Sequence, residues 1–196
     1  MRDSNYSEWD TQPITGWLHA ARDGDDEALG ELFEAVYPLL HRMASARPGV
    51  HKARALSPTT LVNELYLKIR DSVALDVEDR HHFYATCSRA MRFIVADFAR
   101  AAMSKKRGGE YDHCAYTQAL AAQPDRTQEL LDIHAALDEL DQLDTRLREL
   151  VEMKFYGGLT YAEIGALHER SERSIKRDWQ KARAFLKARA GRASTN

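Results

Sequence analysis

The stretch Leu159-Thr160-Tyr161-Ala162-Glu163-Ile164, followed by Ser171-Glu172-Arg173-Ser174-Ile175-Lys176-Arg177-Asp178-Trp179, holds two helix starts in close succession. Thr160 and Glu163 have the spacing of a capping box: the Glu163 N–H donates to the threonine hydroxyl, and the Thr160 N–H donates to the glutamate carboxylate. Ser171 is a favourable N-cap for the second helix. Beyond it Ile175, Trp179, Ala182 and Leu186 recur at helical spacing and share one face. At about 100° per residue, Arg173, Arg177 and Lys181 point the opposite way, with Lys176 and Arg183 at the flanks. The pattern predicts a helix-turn-helix whose apolar side docks on its own domain while its cations reach guanine edges and phosphates in the major groove. Glu169 stands where such turns often carry glycine. The turn is therefore expected to force a residue with a Cβ into positive φ.

Working outward, helical signals dominate and no alternating strand pattern emerges. Ile14–Arg22 reads as a short helix stopped at Asp23-Gly24-Asp25, and 26–47 as a longer one with Pro38 inside it, expected to bend its path. Ser57-Pro58 marks the next start, serine as N-cap and proline at the first helical position, for a helix to Arg70 striped with Leu61, Val62, Leu65 and Ile69. After the polar stretch 71–80 comes a helix over 81–103 with Phe83, Cys87, Ala90, Met91, Ile94 and Phe98 on one face. Gly108-Gly109, Pro124 and lost periodicity mark residues 105–126 as the linker. Helices over 127–142, 145–156, 160–168 and 171–190 complete an all-α chain of two helical domains, 14–104 and 127–192, with a mobile segment at 1–13.

The formal charge of −2 conceals a strong asymmetry. Residues 1–34 carry nine acids against two bases, and 125–152 nine against three; residues 89–107 carry six bases against one acid, and 171–190 seven against two. Two basic patches on an acidic chain imply two contacts with a polyanion. No apolar run approaches the ~20 residues of a membrane span, and the start has no apolar signal-peptide core. Cys87 and Cys114 have neither zinc-type spacing nor disulfide-scaffold density, so a cytoplasmic protein with reduced thiols is expected. His81-His82 point in different directions on a helix, with no cysteine or carboxylate at ligand spacing, so no metal and no cofactor is expected. Glycine-rich phosphate loops, GxSxG elbows and HExxH motifs are absent, and nothing points to an enzyme.

Several stretches, in order, resemble one family. The segment from Leu137 to Ile164, running into the helix-turn-helix, looks like the −35-binding domain of extracytoplasmic-function sigma factors, and Lys176 to Leu186 resembles one subfamily of them. Leu56 to Ile69 and His82 to Arg100 resemble that subfamily's first domain. The resemblance spans residues 14–190 apart from the linker. It implies that the first, sigma-2-like domain binds core RNA polymerase and the promoter −10 element, and that the second, sigma-4-like domain reads the −35 element. By position it implies polymerase contacts at Leu61, Val62, Glu64, Leu65 and Lys68. It implies −10 contacts from the loop 71–82 and from Phe83, Tyr84, Arg92, Arg100, Lys105, Lys106 and Arg107, and −35 contacts from Arg173, Ser174, Lys176, Arg177, Lys181 and Arg183. Aromatic stacking is the physical means of holding unpaired −10 bases.

The chain departs from the family at the start of the polymerase-binding helix. Where most such factors carry an acidic cluster, this one reads Ser57-Pro58-Thr59-Thr60, with only Glu64 close downstream. Either the helix binds through apolar contacts and Glu64, or phosphorylation of Thr59, and secondarily Thr60, supplies the missing charge. The subfamily sharing this feature is associated with Ser/Thr protein kinases. Two other readings are a helix-turn-helix regulator that binds an operator without joining polymerase, and a basic helix that docks on an acidic protein.

Overall fold

A computed structural model describes residues 14–45, 57–70, 77, 79–105, 120 and 122–193. Among these the chain forms helices and no strand: α1 Ile14–Arg22, α2 Asp26–Ser45, α3 Pro58–Arg70, α4 Arg80–Lys105, α5 Pro124–Leu143, α6 Thr145–Phe155, α7 Tyr161–Leu167 and α8 Glu172–Ala193. The expected mobile segment 1–13, most of the 71–82 loop and linker residues 106–119 and 121 lie outside the described residues. The linker expected to run to 126 ends earlier, because Pro124 at the first position opens α5.

Short polar side chains fix where the helices begin, because each start leaves backbone N–H groups without a partner inside the helix. Asp25 Oδ1 accepts from the Glu27 and Ala28 N–H groups, both at 3.0 Å, to open α2. Ser57 Oγ accepts from Thr60 N at 3.0 Å to open α3, as its sequence position predicts. Asp79 accepts from His82 N at 2.8 Å for α4. Asp144 ends α5 through its own N–H and opens α6 by accepting from Arg146 N and Leu147 N. Pro38 lies inside α2 as one continuous element.

In the first half, α2 packs on α1 and α3, and α3 on α4. Leu18, Leu32, Leu40, Leu61 and Leu65 are wholly or almost wholly buried there, each contributing about 2 kcal/mol of apolar burial. In the second half, α5, α6 and α8 pack together and α7 lies against α8. The core does not stop between the halves. Helix α4 also packs along α5 and α6, and one continuous cluster of buried residues runs from Ile14 to Ala182. The approach is close: a Cβ on Gly157, just past α6, would sit 2.5 Å from Ser88 Oγ of α4.

A buried ionic cluster lies in that seam. Arg92 of α4 is fully buried. Its Nη1 donates to the His134 carbonyl at 3.0 Å, and its Nη2 to Asp138 at 2.8 Å. Arg92 Nε is 2.8 Å from Glu152 Oε1, but the N–H is not aimed at that oxygen, so the contact is an ion pair without a hydrogen bond. Arg148 donates to the other Glu152 oxygen at 2.5 Å and to Asp141 at 3.0 Å. Burial raises the Glu152 carboxyl above its ordinary value, against the opposing pull of Arg148 and Arg92. Burial also raises the Cys87 thiol, an inert core position.

Candidate nucleic-acid interface

The helix-turn-helix is assembled as its sequence predicts. Glu163 N donates to Thr160 Oγ1 at 3.1 Å, and Thr160 N to Glu163 Oε2 at 2.6 Å, closing the capping box of α7. The second carboxylate oxygen, Oε1, accepts from Arg42 Nη2 of α2 at 2.7 Å. Burial raises the Glu163 carboxyl, but its hydrogen bonds to Thr160 and Arg42 outweigh this and hold it low.

The turn carries the strain its sequence implies: Glu169 adopts φ 53°. Gly165 is required by close approach, since a Cβ there would lie 2.6 Å from the Arg170 carbonyl oxygen. Ser171 Oγ accepts from Ser174 N at 3.2 Å to open α8. Ile175 and Ala182 of that helix are buried, while Trp179 and Leu186 pack half-buried on the core. Arg170 bonds Asp178 at 2.5 Å, and Lys181 bonds it at 3.1 Å. Burial alone would raise Asp178, but these two donors keep it below the usual carboxylate range.

The outward side of α8 presents Arg173, Lys176, Arg177, Lys181 and Arg183, all exposed, with Ser174 half-buried at its start. Lys176 reaches Glu172 at 2.6 Å, a solvent-exposed pair worth little. The face is a row of cations on a rigid, capped helix, the arrangement that phosphate neutralisation and base-edge contact require.

The first half corrects several expectations. Leu61, Val62 and Leu65 were expected at a polymerase contact, but they lie inside the domain because the apolar stripe of α3 turns toward α2 and α4. What α3 shows to solvent is Thr59, Asn63, Leu67, Lys68 and Arg70, with Glu64 half-buried. Leu67 is 39% exposed, and Tyr37 of α2 is 37% exposed. Between α2 and α3 runs an open groove lined by Phe33, Tyr37, Pro38, Val62 and Tyr66. Leu67, a leucine that falls off the Leu61–Val62–Leu65–Ile69 stripe, was the signal that could have found this face.

Phe83 and Tyr84 are buried, stacked edge-on at 5.4 Å, so neither presents a ring to an unpaired base here. Burial pushes the Tyr84 hydroxyl up to about 12, with Arg80 opposing. Arg92, expected on the DNA backbone, is occupied by the ionic cluster of the seam. Arg100 is exposed and bonds Asp97 at 3.0 Å. The Lys105 side chain, Lys106 and Arg107 lie outside the described residues.

A chain whose described residues are helical and strand-free, with a capped helix-turn-helix, a cationic outer helix and a second helical unit packed on it, is a DNA-contacting protein of two parts. The family model described as ECF sigma factor matches residues 11–191, and the chain belongs to that family. It is accordingly an alternative sigma factor that initiates transcription, with core RNA polymerase and promoter DNA as partners. No curated protein and no solved structure matches the chain. No helix among the described residues is long and apolar enough to cross a membrane.

Proposed function

We propose that this sigma factor is controlled at its polymerase-binding helix, where a Ser/Thr protein kinase activates it by phosphorylating Thr59, with Thr60 as the secondary site. The observation that carries the reading is the first turn of α3: it contains no acidic residue and leaves Thr59 exposed. The Thr60 hydroxyl is engaged, 2.9 Å from Ser57 Oγ, which favours Thr59 as the acceptor. A phosphate adds about −1.5 to −2 charge, placed where the helix dipole favours an anion by about 0.3–1 kcal/mol. It would supply the acidic contact that related factors carry in their sequence.

In this reading residues 14–104 join polymerase and the −10 element, the linker follows up to the start of α5 at Pro124, and the unit from there to residue 192 reads the −35 element. Arg173, Ser174, Lys176, Arg177, Lys181 and Arg183 contact the −35 duplex, and Arg100 with Lys105, Lys106 and Arg107 contacts the −10 backbone. The exposed side of α3, Glu64 and Lys68 included, meets polymerase. Pull-down of core polymerase by the wild type, T59A and T59E tests the switch. T59E is expected to retain more polymerase than T59A; equal retention by all three ends the proposal.

A further inference from the structure

His81, Glu149 and His168 come from the start of α4, the middle of α6 and the end of α7, and they meet in the seam between the two halves. One donor atom from each lies within 4.8 Å of the other two. The imidazole rings are 4.1 Å apart at 60°. His81 Nε2 is buried without a hydrogen-bond partner, a polar nitrogen withdrawn from water with nothing in return. All three side chains are half-buried, and His81 alone adjoins a stretch assigned to promoter contact, at the end of the 71–82 loop.

We propose that His81, Glu149 and His168 form a binding site for a divalent first-row transition metal, with zinc as the occupant their chemistry best fits. Two imidazoles and one carboxylate are a donor set zinc accepts at about 2.0–2.2 Å, with water completing a tetrahedron. Magnesium and calcium instead demand oxygen donors. Tetrahedral donors at those bond lengths stand about 3.3 Å apart, against separations within 4.8 Å here, so a bound ion would draw the three side chains together.

The surrounding charges permit a cation. Arg148 Nη2 lies 3.5 Å from Glu149, but that guanidinium is already held by Asp141 and Glu152 at 3.0 and 2.5 Å. Arg170, the arginine whose charge bears on His168, is drawn to Asp178 at 2.5 Å. His81 belongs to the first half, Glu149 and His168 to the second. The site is complete only while the halves are packed, and by linkage an ion bound there favours that arrangement. Neither Thr59 nor Thr60 takes part in the site.

The test is titration of metal-stripped full-length protein with Zn2+ by calorimetry and with Co2+ by visible absorption, without polymerase or DNA. One ion per chain is expected, with the intense d–d bands of tetrahedral cobalt, and no heat from Mg2+. H81A and H168A are each expected to weaken zinc binding at least tenfold. H82A, whose side chain is exposed one residue away, is expected to leave it unchanged. Far-UV circular dichroism verifies that the variants are helical, and E149Q, which preserves shape, is expected to lose at least tenfold as well. Absence of one-to-one binding in the wild type, or undiminished binding by an H81A/H168A double variant, overturns the site.

Discussion

Replacing Arg92 by methionine tests the packing of the two halves most directly. The substitution keeps most of the side-chain volume and removes the charge. It deletes the donor to the His134 carbonyl at 3.0 Å, the bond to Asp138 at 2.8 Å and the ion pair with Glu152 at 2.8 Å. Asp138 is 53% exposed, so water replaces that partner at a cost of under about 1 kcal/mol. Glu152 is fully buried and is left with Arg148 alone. Breaking a buried pair by removing one partner costs about 3–5 kcal/mol, and the surviving Arg148 bond keeps the loss near the lower end. About 3 kcal/mol is expected, or a fall of roughly 6–12 °C in Tm for a chain of this size.

The assay is urea unfolding followed by circular dichroism, with R100M as reference. Arg100 is 53% exposed and bonds an equally exposed Asp97, so R100M should change stability by less than about 0.5 kcal/mol. The double variant R92M/E152Q should recover part of the loss, since it leaves no carboxylate buried with one partner fewer. If R92M unfolds with the same midpoint as R100M, the Arg92 guanidinium is in water and α4 does not pack on α5 and α6.

Three further expectations follow from the second half. E169G should stabilise the protein by about 1 kcal/mol in thermal or urea unfolding, because glycine accepts the φ of 53° that a Cβ resists; a destabilised variant would contradict the turn geometry. His168 is pushed down to about 4, first by burial and then by the charges of His81 and Arg170. The unfolded state therefore binds more protons than the folded state between that value and the ordinary 6.5, so stability is full above pH 6.5 and falls as pH drops toward 4. The ceiling is about 3 kcal/mol, and roughly half that after solvent screening of a partly exposed ring; in chelator-treated buffer H168N should flatten this limb, and an unchanged slope would refute the assignment. R177A should weaken binding to duplex DNA across sequences and reduce the salt slope by about one if it contacts phosphate, as measured by fluorescence anisotropy at several salt concentrations; an unchanged slope with lost sequence preference would move Arg177 to a base edge.

Much of the fold was legible because local rules act within a few turns of one helix. The Ser57-Pro58 start, the Thr160–Glu163 box and the Ile175–Leu186 stripe each depend on residues no more than about three turns apart, and each forms as read. The positive φ at Glu169 was legible for the same reason. What escaped depends on which element lies opposite. Arg92 looks like any cation of a basic segment until α5 and α6 bring Asp138 and Glu152 to it. Leu61, Val62 and Leu65 sit on an apolar stripe that periodicity reports faithfully, but periodicity does not say whether the stripe meets its own core or a partner. His81 has no ligand within its own helix, and its neighbours are 68 and 87 positions further along the chain.

The Glu163 carboxyl divides its work between two oxygens, one closing the α7 cap and the other receiving Arg42 from the opposite half. The two tasks are separable. If the halves part, Oε1 passes from a guanidinium to water while Oε2 keeps its hold on the Thr160 N–H, and the start of α7 stays wound. The start of the helix-turn-helix is in this respect a finished part, wound whether or not the halves are packed against each other.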